Sequence, residues 1–374
     1  MAEQVVSPDL SFVKDVIASG GGDLKKCYQC STCTVVCNVT PDNKPFPRKE
    51  MLYAQWGMKD RLISNPDIWL CHQCSDCTAH CPRGAKPGEV LGAVRKMAIK
   101  HYSGPSTLAN MTADPKYLLL LFAIPAVLFF AIIASLGHLD FSSIKPAEHG
   151  GISFSNFIPV KFIDSIFIPV AGFAALAFVF GIRKYWADLV KNGGSLAKMD
   201  LFSSLYLAII DIVTHKKFTE CDVANGRTAS HRAVFFSFIG LAITTALGVF
   251  YLYGLKWESP YPLSDPLKII GNISAIALLA GIIAVASNRI DNQEKAGKGG
   301  YFDWLFIGVV FGVGGTGFLS EILRLSNVAA IAFCMYYLHL VFIFFLFAYA
   351  PFSKMAHMVY RTTAMVYARH TGRE

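Results

Sequence analysis

His339-Leu-Val-Phe-Ile-Phe-Phe-Leu-Phe-Ala-Tyr-Ala-Pro351-Phe-Ser-Lys-Met-Ala-His357 closes the most apolar run of the chain, and its two histidines stand 18 residues apart. At 3.6 residues per turn that is five whole turns, so one continuous helix would send both imidazoles out of the same face. The rise between them is about 27 Å, close to the hydrocarbon thickness of a bilayer. The spacing predicts a membrane helix with an imidazole near each surface. Ionisable groups in spans are costly and usually functional, and imidazole is a common axial ligand of haem iron. The plain alternative is one satisfied intramembrane histidine and one interfacial one.

The rest of the composition agrees with a membrane bundle. Of 374 residues, 53% are hydrophobic and only 16% charged, an apolar excess over soluble domains. Six apolar runs, at about 117–137, 162–182, 233–254, 267–287, 303–323 and 328–352, are each near spanning length. Met1 to Lys26 has no apolar core of a signal peptide. The net charge of +8 collects in alternate loops. Arg183, Lys184, Lys191, Lys198, Lys216, Lys217, Arg227 and Arg232 lie between runs two and three, Arg289, Lys295 and Lys298 follow run four, and Lys354, Arg361, Arg369 and Arg373 lie in the tail. The opposite loops hold Lys145, Lys161, Lys256 and Arg324. By the positive-inside rule, a multi-pass protein of the cytoplasmic (inner) membrane is expected, with both termini cytoplasmic. The basic excess reads as topology, not nucleic-acid binding. Leu201 to Val213 is too short to span and is interrupted by Asp211. It reads as an interfacial or re-entrant helix, or as a buried helix of the soluble part. Run five carries Gly308, Gly312, Gly314, Gly315 and Gly317, which allow close approach of helices or of a flat macrocycle.

Eight of the ten cysteines lie between Cys27 and Cys81. Cys27-x2-Cys30-x2-Cys33-x3-Cys37 is followed by Cys71-x2-Cys74-x2-Cys77-x3-Cys81-Pro82, the spacing of two [4Fe–4S] clusters, in which the fourth cysteine of each run reaches the other cube. Cluster one is therefore expected on Cys27, Cys30, Cys33 and Cys81, and cluster two on Cys71, Cys74, Cys77 and Cys37. Structural zinc also uses Cys-x2-Cys, but pairs suffice for it. Asn38 stands where the first run would have proline. His72 and His80 read as neighbours of the cluster, and Cys221 and Cys334 as inert packing thiols. Ser7-Pro8-Asp9 signals a helix start and Gly20-Gly21-Gly22 its stop, with further helices at Arg48–Trp56 and Glu89–Lys100 and no strand pattern. An all-α chain follows: a helical two-cluster ferredoxin domain at 1–100, a linker at 101–116, and a six-helix transmembrane haem b domain at 117–374. Few apolar residues separate the cysteine runs, so the cubes are expected to supply much of the first domain's cohesion.

Two ligands at similar depth are needed for each haem. His231, at the entrance of run three, can pair with His357 around an inner haem, and His215 could replace His231. His339 belongs to an outer haem, with His138 favoured as its partner and His149 also nearby. His101 and His370 read as solvated.

His339 with Pro351-Phe-Ser-Lys-Met-Ala-His357 resembles the last ligand helix of the nitrate reductase gamma-subunit family, which binds two b haems. The earlier ligand helix of that family carries two histidines ten residues apart; His231 matches the first, and Leu241 stands at the second position. The whole chain is similar to the C and E subunits of heterodisulfide reductase joined together. That is the arrangement of the C-subunit family of the quinone-interacting membrane-bound oxidoreductase complexes of sulfate reducers. This resemblance implies menaquinol oxidation, two b haems, heterodisulfide reductase A-like flavin and iron–sulfur partner subunits, and adenylylsulfate reductase as acceptor. No G-x-G-x-x-G fingerprint follows a strand, so a flavin would belong to a partner. A membrane subunit of a quinone-linked heterodisulfide or sulfite-pathway reductase is the redox alternative, and a non-redox membrane protein with a structural metal domain is the other. A quinone site needs polar, proton-active groups beside a haem. Asp164, Glu321 and Arg324 offer them on the outer side. Asp211, His215 and Lys216 offer them on the inner side, which the sequence favours slightly. Replacing Cys33 or Cys77 with Ala should remove cluster signal and destabilise residues 1 to 100, whereas full iron content with a normal low-temperature paramagnetic spectrum in either variant would refute the cluster assignment.

Overall fold

The computed structural model describes residues 7–147, 150–194, 196–218, 225–293 and 299–373, and among these every regular element is helical. His149 and Cys221 lie outside the described residues. Six helices are long and apolar enough to cross a membrane: Pro115–Ser135, Val160–Gly193, Arg227–Leu255, Pro266–Asp291, Tyr301–Leu325 and Ala329–Ala348. The third packs on the fourth, the fourth on the fifth and the fifth on the sixth, while the sixth also meets the first and second.

The sixth helix is shorter than the sequence suggests. It ends at Ala348, two short 3-10 turns follow at Ala350–Phe352 and Lys354–Ala356, and a new helix runs from His357 to His370. Pro351 is the physical reason, because it has no amide hydrogen and its ring clashes with the carbonyl four residues back. The expected single helix carrying both histidines is thus two helices, and the five-turn arithmetic does not apply. The carbonyls opened by the break find partners in the segment expected to be a linker. Ser103 Oγ donates to Pro351 O at 2.5 Å and Thr112 Oγ1 donates to Phe352 O at 3.0 Å. That segment contains the helix Ser106–Ala113, in which Ala109 and Thr112 are buried.

The cysteine domain is a set of short helices closed by the longer Pro87–Tyr102. Leu10–Ala18 starts where the sequence signals it, with the Asp9 carboxylate accepting from Phe12 N at 2.9 Å. The residues between the cysteine runs are more apolar in effect than their sequence suggests. Phe46, Met51, Leu62, Ile68 and Trp69 are all buried in one core with Phe12, Val16, Val90 and Leu91. Burial of these side chains, and not the clusters alone, holds the domain.

This core does not stop at the membrane bundle. It takes in Tyr185 and Leu189 from the 34-residue second membrane helix, and Tyr360, Ala364 and Tyr367 from the helix His357–His370. The Trp69 and Tyr360 rings stack with centroids 5.6 Å apart. Gly181 lets Tyr360 close on the second membrane helix, because a Cβ there would collide with the Tyr360 hydroxyl. The helix Leu201–Thr214 lies on the same end of the bundle. It packs on His357–His370 through Ser204 and Ala208, while Leu201, Phe202, Leu205, Tyr206, Ile209, Ile210 and Val213 form an exposed stripe on its opposite side. Tyr360→Ala should cost about 3–5 kcal/mol, the range for removing a large buried aromatic. Limited proteolysis over a temperature series should then show residues 1 to 100 opening well before the membrane helices.

Candidate metal centres

The two cysteine runs fold alike. Gln29 and Ser31 in the first, and Gln73 and Ser75 in the second, take left-handed backbone angles between φ 52° and 77°. These turns curl each run around a common centre, after which single helical turns at Thr32–Val35 and Asp76–Ala79 pack against each other. Hydrogen bonds to sulfur follow: Gln73 N donates to Cys71 Sγ and Ala85 N to Cys81 Sγ, both at 3.3 Å, and Gln29 Nε2 donates to Cys27 Sγ at 3.4 Å.

The thiols gather in two groups of four. Cys71, Cys74 and Cys77 line one cavity together with Cys37 from the other run, closed by Val39 and Phe46. Burial pushes the Cys37 thiol up to about 12, and the neighbouring Cys71 and Cys74 add to the effect. Burial raises Cys33 to about 11, reinforced by Cys27, Cys30 and Cys81. Thiols that oppose one another's ionisation suit a site for a multiply charged cation, which reverses the penalty by binding thiolate. Among the described residues no three His, Cys, Asp or Glu side chains close on a single ion. The thiols stand around a cavity instead, as ligands to a polynuclear cube would, each on its own iron.

The two groups differ in exposure. In the first group Cys30 is exposed and Cys33 buried, whereas in the second Cys71 and Cys77 are both buried and none is exposed. The loop of the second group is held by three arginines. Arg95 donates to Cys71 O at 2.8 Å, Arg361 to the same carbonyl at 3.4 Å, and Arg227 to Gln73 O. Arg361 also donates to His72 Nε2 at 2.7 Å. Burial, and then Arg361, pushes the His72 imidazole well below its ordinary value, so it is the neutral acceptor that this bond requires. His80 bonds the Asp76 carbonyl at 2.9 Å. Neither Arg361 nor Arg227 stands out in the sequence except as a topology charge; the only signal is that Arg361 lies one turn beyond His357.

At this end of the bundle His231 sits in the first turns of the third membrane helix, with His215 Nε2 and its own Nδ1 3.1 Å apart. The two imidazoles, His215 and His231, are thus direct neighbours. His357 Nδ1 donates to Lys354 O, and Lys354 pairs with Asp303, which also takes Arg289 at 3.2 Å. Burial lowers the His357 pKa, with the charges of Lys354, His231 and Arg361 acting in the same direction. Midway along the sixth membrane helix, His339 points into the fifth. Its Nδ1 lies 3.1 Å from Val313 O and 3.2 Å from Thr316 Oγ1, and a Cβ on Gly317 would stand 2.7 Å from its Cε1. His138 Nδ1 lies 2.7 Å from Phe157 O.

The quinone-site candidates are also partnered. Asp211 pairs with Arg369, and Asp164 accepts from the Tyr253 hydroxyl. Glu321 takes both Arg324 and Lys268 at 2.9 Å. Lys216 is exposed. Lys268 was missed by sequence reasoning, although a lone lysine at the start of an apolar helix could have flagged it.

Residues 112–374 match the citrate utilization protein B family. The chain belongs to that family. Residues 23–85 match the 4Fe-4S dicluster domain. A citrate utilization protein B of Escherichia coli is 22% identical over 366 residues, covering 92% of this chain and 89% of that protein. The cysteine domain is 37% identical over 95 residues to the C subunit of the H(2):CoB-CoM heterodisulfide,ferredoxin reductase of Methanothermobacter marburgensis, a stretch that is 25% of this chain and 50% of that one. It is also 34% identical over 124 residues to an iron-sulfur C subunit of the CoB--CoM heterodisulfide reductase of Methanocaldococcus jannaschii, covering 31% of this chain and 65% of that one. The chain thus spans about half the length of the first of these heterodisulfide reductase relatives. No solved structure matches. In this member of the citrate utilization protein B family, a 4Fe–4S domain like that of the heterodisulfide reductase C subunits is continuous with six helices able to cross a membrane.

Arg361→Ala should cost on the order of 1–3 kcal/mol, because it strips a charged donor from a buried carbonyl and from His72. Arg361→Lys should recover only part of this, since a point charge cannot reach both acceptors as the guanidinium fork does. The rate of iron loss to a chelator, compared across parent, Lys and Ala forms, measures the effect.

Proposed function

We propose that this chain is the membrane electron-transfer subunit of a respiratory oxidoreductase, working between the menaquinone pool and soluble flavin and iron–sulfur partner subunits. Cys27, Cys30, Cys33 and Cys81 hold one [4Fe–4S] cube, and Cys71, Cys74, Cys77 and Cys37 the other. His231 and His357 hold an inner haem b, and His339, with His138, an outer one. When bound, cubes and haems supply one-electron carriers. The observation that carries this reading is the seam between the two halves. His357 opens the helix on which Arg361 follows one turn later, and Arg361 bonds both the Cys71 carbonyl and His72. The loop of the second cysteine group thus bonds the helix that His357 opens, and the exposed Cys30 of the first group marks the side proposed for a soluble partner.

The orientation proposed is both termini and the cysteine domain on the cytoplasmic side of the inner membrane, with the apolar stripe of Leu201–Thr214 resting in the lipid surface. For the quinone we favour the far end. Asp211 and His215 are engaged with Arg369 and His231, whereas Glu321 belongs to a cluster with two cations and lies one turn beyond the Gly317 that meets His339. Two cations to one carboxylate favour a ligand oxygen that carries negative charge. The partners proposed are heterodisulfide reductase A-like subunits with adenylylsulfate reductase downstream, as in the C-subunit family of the quinone-interacting complexes. The full-length likeness to a citrate utilization protein B favours a second reading, in which the soluble partner serves citrate utilisation. Purification of the native complex separates the two by the identity of the flavoprotein that remains bound.

A reduced-minus-oxidised spectrum of the purified chain should show haem b, and its absence would refute the haem assignment. His231→Ala and His357→Ala should each remove the same haem, and His339→Ala a different one. Loss of different haems from the first two variants would break the proposed pairing.

A further inference from the structure

His215 is buried, and three roles are open to it: axial ligand, quinone contact, or neither. We infer that His215 is a positioning residue that sets the tautomer and ring orientation of His231 by accepting a hydrogen bond from it. This rests on the haem reading above and assigns a role that reading leaves open.

The placement of the ring protons decides between the roles. His215 Nδ1 lies 3.2 Å from the carbonyl oxygen of Val213. A carbonyl can only accept, so His215 carries its proton on Nδ1. In a neutral imidazole the other nitrogen is then an acceptor, and His215 Nε2 lies 3.1 Å from His231 Nδ1. His231 must therefore donate from Nδ1, which puts its lone pair on Nε2, the nitrogen through which it can ligate. The same logic, a carbonyl holding Nδ1, applies to His357 through Lys354 O. Both proposed ligands of the inner haem are thus set in one tautomer, one by backbone and one by His215.

The placement of His215 is specific. It sits just past the end of the helix Leu201–Thr214 with φ 53°, in the left-handed region that side chains with a Cβ rarely adopt. The ring packs edge-on against Phe235, with centroids 5.0 Å apart, one turn along from His231. With both ring nitrogens engaged, His215 is poorly placed to serve as a third ligand. An acceptor on the far nitrogen of a ligating imidazole raises its basicity and fixes its orientation. A more basic ligand favours the ferric form, so His215 should hold the potential of that haem down.

The test uses the full chain purified in detergent, in parent, His215→Ala, His215→Leu, His215→Gln and His231→Ala forms. Three quantities are read: haem b per chain, the one-electron potential of the inner haem, and its ferric low-temperature paramagnetic signature. Cluster signals report folding. His215→Ala should keep the haem but release it roughly 10–100-fold more readily. It should also raise the ferrous-to-ferric ratio at fixed potential by about tenfold, a positive shift of about 59 mV. His215→Gln, whose amide oxygen can accept, should return the potential toward the parent. If His215→Ala does not fold, His215→Leu, which fills space but accepts nothing, decides in the same way. A folded variant that lacks haem as completely as His231→Ala would make His215 a ligand and overturn the inference. Unchanged potential and signature would overturn it too. A parent without haem b would remove both this inference and the haem reading, whereas haem in the parent with an unresponsive variant would remove this inference alone.

Discussion

Pro351 has no amide hydrogen, and the cysteine-domain end of the molecule is arranged around that lack. A helix continuing from Ala348 would carry His357 straight on along the membrane axis. The break turns the chain into a second helix that enters the core of the cysteine domain with Tyr360, Ala364 and Tyr367. The carbonyls that the break exposes are bonded by Ser103 and Thr112, from the segment that connects the cysteine domain to the first membrane helix. One backbone defect thus joins the start and the end of the membrane half.

The seam is also where the molecule buries charge. Arg373 reaches the buried Asp67, Arg369 pairs with Asp211, and Lys354 and Arg289 share Asp303. Buried ion pairs add little net stability against apolar packing of equal volume, but losing one partner is costly. Their effect here is on register. Arg369 on the His357–His370 helix and Arg373 just beyond it tie that end of the chain to Asp211 and to Asp67 of the cysteine domain. The same helix places Arg361 on the Cys71 carbonyl.

The two halves have different relatives: the cysteine domain is similar to the C subunits of heterodisulfide reductases, and residues 112–374 match the citrate utilization protein B family. In the fold they are not separable. Trp69 stacks on Tyr360, and Tyr185 and Leu189 of the second membrane helix lie in the same core as Phe12 and Met51. A cysteine domain that shares its core with membrane helices cannot swing on a tether. Its orientation toward the bundle is set by packing.

Local patterns were legible in the sequence because their causes are local. The cysteine spacing depends on a few consecutive residues, and each spanning run depends on its own transfer free energy into lipid. The Asp9 cap and the start of Leu10–Ala18 depend on one side chain and the amides just after it. The end of the sixth helix is legible too, in Pro351, whose ring and missing amide hydrogen act on the residues just before it. What only the tertiary structure decided are contacts between residues far apart in the chain. Cys37 joins Cys71, Cys74 and Cys77 across the two runs, Arg361 reaches Cys71, His215 meets His231, and Lys268 meets Glu321. The apolar residues between the cysteine runs looked too few to make a core because much of that core comes from helices far along the chain, at Tyr185 and Leu189 and again at Tyr360 to Tyr367. Periodicity and propensity describe a segment against solvent or lipid; they carry no information about which other segment will cover it, and that choice is made by packing.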